Sequence, residues 1–229
     1  MSSATTPTAG KLATREPQAT MSRDAARKAS QHWDGVHANQ EPTSLSWFQA
    51  VPTVSLELVG LLAARADSSV VDVGGGTSPL VGALLERGFD DLTIVDVSET
   101  ALEVSRNRLG VDPRVTWVQA DLLTWQPERR FDVWHDRAVF HFLATPVERD
   151  RYMRLLNQVT RAGAAVIIGT FAPKAPDHCS GLPVSRYRVE ELGACLGDAF
   201  ELIATRSEIH ITPNGVAQPF SWVAARRRD

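Results

Sequence analysis

A glycine-rich segment in the first half of the chain has the residue types and order of a ligand-binding turn. In Asp72-Val73-Gly74-Gly75-Gly76-Thr77, a short β-branched run leads through glycines into a predicted helix. Glycine permits a sharp turn and a close approach of the backbone to a ligand, and the helix behind it offers free N–H groups. The segment therefore predicts a binding turn, and a tight strand-to-helix turn without a ligand is the plainer alternative.

Two aspartates follow the next two predicted strands. Asp96 ends the second strand, twenty residues beyond Gly76, and an acid there can accept both hydroxyls of a ribose. Asp121 follows the third strand, where it can hold an adenine amino group while the backbone N–H of Leu122 reads the ring. Either acid alone could be an ordinary loop or capping residue. Because consecutive parallel strands end along one crevice, the three segments predict a single nucleoside-binding site.

The elements that must position these residues alternate between apolar runs and helical periodicity. The predicted strands are 69–73, 92–97, 115–119, 131–135 and 164–171, and the predicted helices are 80–87, 99–109, 147–160 and 189–196. Strands 200–211 and 218–225 are joined too tightly for a parallel crossover, so they must pair antiparallel. This pattern predicts an α/β fold, Rossmann-like and doubly wound. Its sheet is expected to have seven strands, mostly parallel, with an antiparallel C-terminal pair and helices on both faces.

The 229 residues fit one such domain. Residues 1–21 are rich in Ser, Thr, Ala and Pro and are predicted to be a disordered tail. Residues 22–229 are predicted to form one domain with an N-terminal helical lid over about 22–66, including helices at 24–33 and 54–66. Trp33 and Trp47 lie in this lid, where they could cover a ligand or only pack the segment.

Charge and composition exclude several partner classes. The net charge of −3 gives no basic face for nucleic acid, and no apolar run reaches the roughly 18 residues of a membrane span. The two cysteines are too few for a disulfide framework and are not in a metal-ligand spacing, so we expect a reduced cytoplasmic protein without a metal. The sequence leaves the oligomeric state open.

Four segments carry a family resemblance. Residues 72–77, 94–98, 118–122 and 131–137 resemble motifs I to IV of the class I S-adenosylmethionine (SAM) methyltransferases, in order and at the usual spacing. The resemblance covers roughly residues 45–225 and implies SAM as the methyl donor and S-adenosylhomocysteine (SAH) as product. The cofactor-binding residues it implies are Trp47, Asp72, Gly74, Gly75, Gly76, Thr77, Asp96, Val97, Asp121, Leu122, His135, Asp136 and Arg137.

The acceptor is less sharply indicated. His135-Asp136-Arg137-Ala138 resembles the Asp-Arg motif of thiopurine, thiol and halide methyltransferases, which implies a small-molecule acceptor such as a thiol or another soft nucleophile. An oxygen or amine acceptor would need a base, for which His141 and His135 are candidates, with a structural histidine as the alternative.

Three other functions compete with this interpretation. The segment 46–60 resembles protein lysine methyltransferases, although their Asp-Lys-Gly-Thr motif is missing after the fourth strand. A SAM-binding module without turnover is a second alternative. An NAD oxidoreductase is disfavoured because Pro79 stands where the third glycine of the dinucleotide fingerprint belongs.

Overall fold

The computed structural model describes residues 16–62 and 65–229. Its strands are β1 Val70–Val73, β2 Leu92–Asp96, β3 Val115–Gln119, β4 Phe131–Arg137, β5 Thr160–Phe171, β6 His178–Cys179, β7 Leu182–Pro183, β8 Phe200–Ile211 and β9 Ala217–Arg227. Its helices are α1 Glu16–Asn39, α2 Thr53–Leu61, α3 Leu80–Glu86, α4 Glu99–Leu109, α5 Pro146–Val159 and α6 Val189–Leu196, with one-turn 3₁₀ helices at Pro42–Ser44 and Phe140–Phe142. None of the helices described is long and apolar enough to cross a membrane.

Seven strands form one sheet in the order β3-β2-β1-β4-β5-β9-β8. Strands β1 to β5 are parallel, and β9 runs antiparallel between β5 and β8. The predicted Rossmann-like fold is therefore confirmed, including the antiparallel pairing of the last two strands. Since β8 is antiparallel to β9, β9 alone is reversed against the rest of the sheet.

Alternating side chains of the inner strands supply two apolar layers. Val70 packs with α2 and α3 on one face of the sheet, whereas its neighbour Val71 packs with α5 and α6 on the other. Every residue of β1 is buried, as expected for a parallel strand covered on both faces. The same alternation assigns the polar residues of β1 and β4 to one face or the other.

Several element boundaries differ from those expected. Helix α1 begins at Glu16 and ends at Asn39, so residues 16–21 of the predicted tail are helical, while residues 1–15 lie outside the described part of the chain. Helix α2 ends at Leu61. Strand β4 continues through its polar end to Arg137, because Asp136 and Arg137 pair with β5. Polar residues at a strand end hide the strand from a pattern based on apolar runs.

Candidate functional site

A cleft of about 340 Å³ lies at the carboxyl ends of the central strands. It is bordered on one side by α1 and on the other by the glycine turn after β1. Twelve of the thirteen predicted cofactor-binding residues line it, namely Trp47, Asp72, Gly74, Gly75, Gly76, Thr77, Asp96, Val97, Asp121, Leu122, His135 and Arg137. The structure thus brings together segments that are separated by up to ninety residues of sequence.

The glycine turn has the geometry for which glycine is required. Gly74 has φ +65°, and a Cβ placed on it would lie 2.1 Å from Cγ2 of Val139. Gly76 has φ +25°, and its Cβ would lie 2.7 Å from Oδ2 of Asp96. The Ser105 hydroxyl of α4 donates to the carbonyl of Gly76 at 2.6 Å and holds the turn. A side chain at either glycine would collide with Val139 or Asp96 unless the turn moved.

The two aspartates predicted to bind a ligand follow neighbouring strands, since Asp96 ends β2 and Asp121 comes directly after β3. Asp96 accepts the N–H of Ser98 at 2.8 Å, and burial, with Asp72 adding to it, raises the pKa of Asp96 to about 7. Asp121 accepts the N–H of Leu123 at 2.8 Å, and burial also raises its pKa. A carboxylate has about four acceptor positions, so each acid retains capacity for donors of a ligand.

A buried hydrogen-bonded chain joins β1, β4 and α2 below the turn. His135 contacts Oδ1 of Asp72 through Nδ1 at 2.7 Å and the hydroxyl of Ser55 through Nε2 at 2.9 Å. Both ring nitrogens of His135 are therefore engaged within the protein. In this geometry His135 positions Asp72 under the glycine turn and is not free to take a proton from an acceptor.

Asp136 is the predicted cofactor residue that the structure does not bring to the cleft. Successive side chains of a strand point to opposite faces, so Asp136 faces α5 while its neighbours face α2. The side chain is fully buried and accepts the N–H of Val139 at 2.9 Å, the N–H of Phe140 at 3.1 Å and the hydroxyl of Tyr152 at 2.7 Å. It secures the turn that follows β4.

His141, the first candidate base, does not line the cleft either, but lies directly behind Phe142 and Phe171, which do. It is fully buried between the rings of Phe142 and Phe171, and its Nδ1 accepts the N–H of Phe171 at 3.4 Å. Burial, helped by the charge of Arg137, lowers the pKa of His141 to about 3. The structure supports the alternative that this is a structural histidine.

Arg137 reaches the cleft from the end of β4. Its Nη1 donates to the carbonyl of Trp47 at 3.0 Å, and its Cζ lies 4.7 Å from the centre of the Phe220 ring. The Nε and Nη2 nitrogens are buried without a hydrogen-bond partner. Burial lowers the pKa of the guanidinium to about 10, so it remains charged at neutral pH.

An aromatic lid of Trp33, Trp47 and Phe142 covers one side of the cleft. The ring of Trp33 lies 5.9 Å from that of Trp47 and 5.2 Å from that of Phe142, both edge to face. Asp34 fixes α1 in this position, since its Oδ1 accepts the Ser98 hydroxyl at 2.7 Å and the Thr100 N–H at 3.1 Å. Both tryptophans therefore pack against each other and border the ligand space.

Sequence reasoning missed His37 and Gln218 of the cleft, whereas the segment that contains Cys179 was expected to cover the acceptor site. His37 lies one helical turn beyond Trp33, with its ring 5.8 Å from that of Trp47, and its spacing from Trp33 could have indicated it. Burial lowers the pKa of His37, so its ring is neutral at pH 7. Gln218 enters from β9, and nothing in the local pattern indicated it. The β6–β7 hairpin contributes Cys179, whose pKa is raised by burial.

Comparisons by sequence match part of this chain to methyltransferases. Residues 70–163, from β1 into β5, match the family described as a methyltransferase domain. A segment of 98 residues is 32% identical to a trans-aconitate 2-methyltransferase of Rhizobium etli, covering 42% of this chain and 36% of that protein. A segment of 110 residues is 24% identical to malonyl-[acyl-carrier protein] O-methyltransferase 1 of Ilyobacter polytropus, covering 46% and 39%.

The structural comparison covers more of the chain. A Burkholderia thailandensis 1,6-didemethyltoxoflavin-N1-methyltransferase, solved with 1,6-didemethyltoxoflavin and SAH, matches with a TM-score of 0.66 and 20% identity. The match covers 97% of this chain and 94% of that one, and it shows a shared fold. The chain spans less than two-fifths of the length of the curated relatives it matches.

Proposed function

We propose that this chain, which carries a methyltransferase domain on the class I fold, transfers the methyl group of SAM to a small-molecule acceptor. The observation that carries the proposal is the cleft itself. It brings the glycine turn, Asp96 and Asp121 together at the ends of β1, β2 and β3. The sequence and fold likenesses to methyltransferases support it.

The residues of the cleft fit the parts of SAM in strand order. We assign the methionine part to the turn of Gly74 to Gly76, which lines the cleft, and the ribose hydroxyls to Asp96. Asp121 and the N–H of Leu122 would hold the adenine. Trp47 lies where an aromatic face could attract the sulfonium. SAM supplies a methyl group already activated by its positive sulfur, so the protein must bind, orient and exclude water.

The acceptor would occupy the other end of the cleft, over β4, β5 and β9. Phe171, Phe220 and Leu182 make this end largely apolar, and the cleft volume of about 340 Å³ suits a small molecule. Two of the matched proteins are named for the small acceptors trans-aconitate and 1,6-didemethyltoxoflavin, which supports a small acceptor here, whereas a third is named for malonyl-[acyl-carrier protein].

The positions of the histidines favour an acceptor that ionises before it binds. His135 is engaged at both nitrogens and His141 lies outside the cleft. A thiol or another soft nucleophile meets this condition, since its anion needs no base in the site. For an acceptor that still carries a proton, His37 is the candidate base, because it lines the cleft and is neutral.

Calorimetric titration with SAM, SAH and NAD tests the cofactor assignment. We expect SAM and SAH to bind and NAD not to bind. Asp96→Asn should weaken SAM binding at least tenfold, because a neutral amide replaces the acceptor of the ribose hydroxyls. Asp90→Asn, an exposed change just before the other end of β2, is the matched control and should bind as the wild type does.

SAH release in the presence of SAM and a panel of small acceptors tests turnover. Tight SAM binding with no product from any small molecule or peptide would reduce the chain to a binding module. Binding of NAD in preference to SAM would contradict the proposed function itself.

A further inference from the structure

We propose that the methyl acceptor carries a carboxylate that the guanidinium of Arg137 binds, while a second group of the same molecule, such as a thiolate, attacks the methyl carbon of SAM and SAH leaves as the carbon–sulfur bond breaks. The inference rests on the proposed methyl transfer and specifies the chemical class of the methyl acceptor. It also changes the role of Arg137, which the family resemblance implied as a cofactor residue. Four features of the described residues carry it, namely the position of Arg137, its free donors, its charge environment and its apolar surroundings.

The strand order places Arg137 at the acceptor end of the cleft. Asp121 follows β3 and Asp96 ends β2, while Arg137 ends β4, on the opposite side of β1. Its backbone pairs with Gly169 of β5, and its guanidinium lies over the ring of Phe220 on β9. A group bound to Arg137 would therefore be separated by the glycine turn from the residues proposed to hold adenosine.

The free donors of Arg137 have the arrangement that a carboxylate requires. Nε and Nη2 stand on one edge of the planar guanidinium with their N–H bonds parallel, and both are without a partner. Nη1 is already fixed by the carbonyl of Trp47. A carboxylate can accept from both nitrogens of that edge at once, which is the bidentate geometry preferred by arginine.

Nearby acids form no direct ion pair with this edge, although the charges of Glu208 and Asp72 act on Arg137. Glu208 accepts Nε2 of Gln49 at 2.6 Å and Nε1 of Trp222 at 2.8 Å, so both of its oxygens are engaged. Asp72 is held by His135. Arg137 is the one lysine or arginine among the described residues that line the cleft. A single cation with acids nearby suits a monoanionic carboxylate better than a doubly charged phosphate.

The surroundings would strengthen the pairing. Phe171, Phe220 and Leu182 line this end, and ion pairs are stronger where water is excluded. The two nitrogens are shielded from water, so a carboxylate reaches them when a lining side chain turns aside. Cys179, on the short β6–β7 hairpin, lines the same end and is close enough to interact with the charge of Arg137.

The methionine end of SAM also has a carboxylate, so the test must separate the two sources. SAM binding is first measured by calorimetry for the wild type, Arg137→Met and Arg137→Lys. SAH release is then measured with SAM and a panel of small acceptors that carry both a thiol and a carboxylate, each paired with the primary amide of that carboxylate. Arg206→Met, which removes an exposed arginine paired with Glu57, is the matched control.

We expect acids to be methylated at least tenfold more efficiently than their amides. Arg137→Met should raise the KM for the acid at least tenfold, with the SAM dissociation constant within threefold of the wild type, and Arg137→Lys should restore part of the loss. Circular dichroism would verify that each variant is folded.

The proposal is overturned if Arg137→Met weakens SAM binding while leaving the KM for the acid unchanged, since Arg137 would then serve the cofactor. It is also overturned if the wild type binds SAM but accepts no acid of the panel, or if both constants are unchanged in Arg137→Met. Failure of the wild type to bind SAM would instead contradict the proposed function.

Discussion

Asp96 is the residue at which the demands of binding and of stability conflict most directly. Burial raises its pKa to about 7, against an ordinary value of 3.8. The folded state therefore holds this proton more tightly than the unfolded chain. The contribution of Asp96 to stability is fully present below the unfolded pKa and is lost as pH rises to about 7.

We predict that Asp96→Asn stabilises the protein at pH 8 and not at pH 4. The amide is neutral at both pH values, so it removes the cost of ionising a buried acid. The gain in melting temperature at pH 8 should be on the order of 2–4 °C for about 1 kcal/mol. Thermal unfolding at pH 4, 6 and 8 measures it, and a gain that shrinks as pH rises would contradict the assigned ionisation.

Gly75 is a second position at which a single added atom, the Cβ of alanine, is expected to disturb cofactor binding. A Cβ on Gly75 would lie 2.6 Å from Oδ2 of Asp72 and 2.9 Å from Cγ2 of Ile94. We predict that Gly75→Ala displaces Asp72 and weakens SAM binding at least tenfold, as measured by calorimetry.

The control for this prediction is Gly60, a glycine that lies in a helix and not in the turn. Gly60 lies in α2, and a Cβ there would meet nothing within 4 Å. Gly60→Ala should therefore leave SAM binding unchanged and stabilise the protein by roughly 0.5–1 kcal/mol. Equal binding by Gly75→Ala and the wild type would show that the turn does not hold the cofactor.

At the scale of elements, the contact between α1 and α4 decides how the cleft is covered. Asp34 of α1 accepts from Ser98 and Thr100 at the N-terminus of α4. We predict that Asp34→Ala lowers stability by about 1 kcal/mol, as for the loss of a helix cap. SAM binding should weaken severalfold, because Trp33 and His37 lie on the same helix.

Asp24→Ala is the matched control on the same helix. Asp24 is exposed, and it pairs with Arg27 at 3.4 Å on the surface, where such pairs contribute little. Thermal unfolding and calorimetry of the two variants separate a role of α1 in the cleft from a general effect of removing a charge. Identical SAM affinities for both would contradict the role of the lid.

The elements also show where sequence patterns succeed and fail. The sequence predicts α4 at its observed bounds because its N-cap is a local signal. The Ser98 hydroxyl accepts the N–H of Ala101, three residues along the chain. The full length of α1 could not be predicted, since Asp34 bonds to residues more than sixty positions away. The roles of His135 and Asp136 could not be predicted from the sequence pattern either. The face of the sheet that each side chain takes depends on how β4 pairs with its neighbours.

At the scale of the molecule, the fold was predictable and the acceptor end of the cleft was not. The alternation of apolar runs and helical segments, together with the tight turn before the last strand, was enough to predict the sheet and its antiparallel end. The residues proposed to bind SAM come directly after single strands, so they appear in the sequence as short motifs. The acceptor end is assembled from the lid, the β6–β7 hairpin and β9, and positions such as His37 and Gln218 meet only in three dimensions.

We propose that residues 22–229 form a single domain, and the structure allows a test. The six tryptophans are spread from Trp33 on α1 to Trp222 on β9, and Trp134 lies on the opposite face of the sheet. Unfolding followed by tryptophan fluorescence and by far-ultraviolet circular dichroism should therefore give coincident transitions. Two separated transitions would show that the lid unfolds independently.

The contact of Asp34 with α4 has a consequence for the speed of the reaction cycle. The helix that covers the cleft is fastened directly beside the strand end that carries Asp96. We predict that product release requires this contact to open, so that opening limits the rate of turnover. Raising the viscosity of the solvent should then slow turnover, and loosening the fastening should make turnover faster even as the grip on the cofactor weakens.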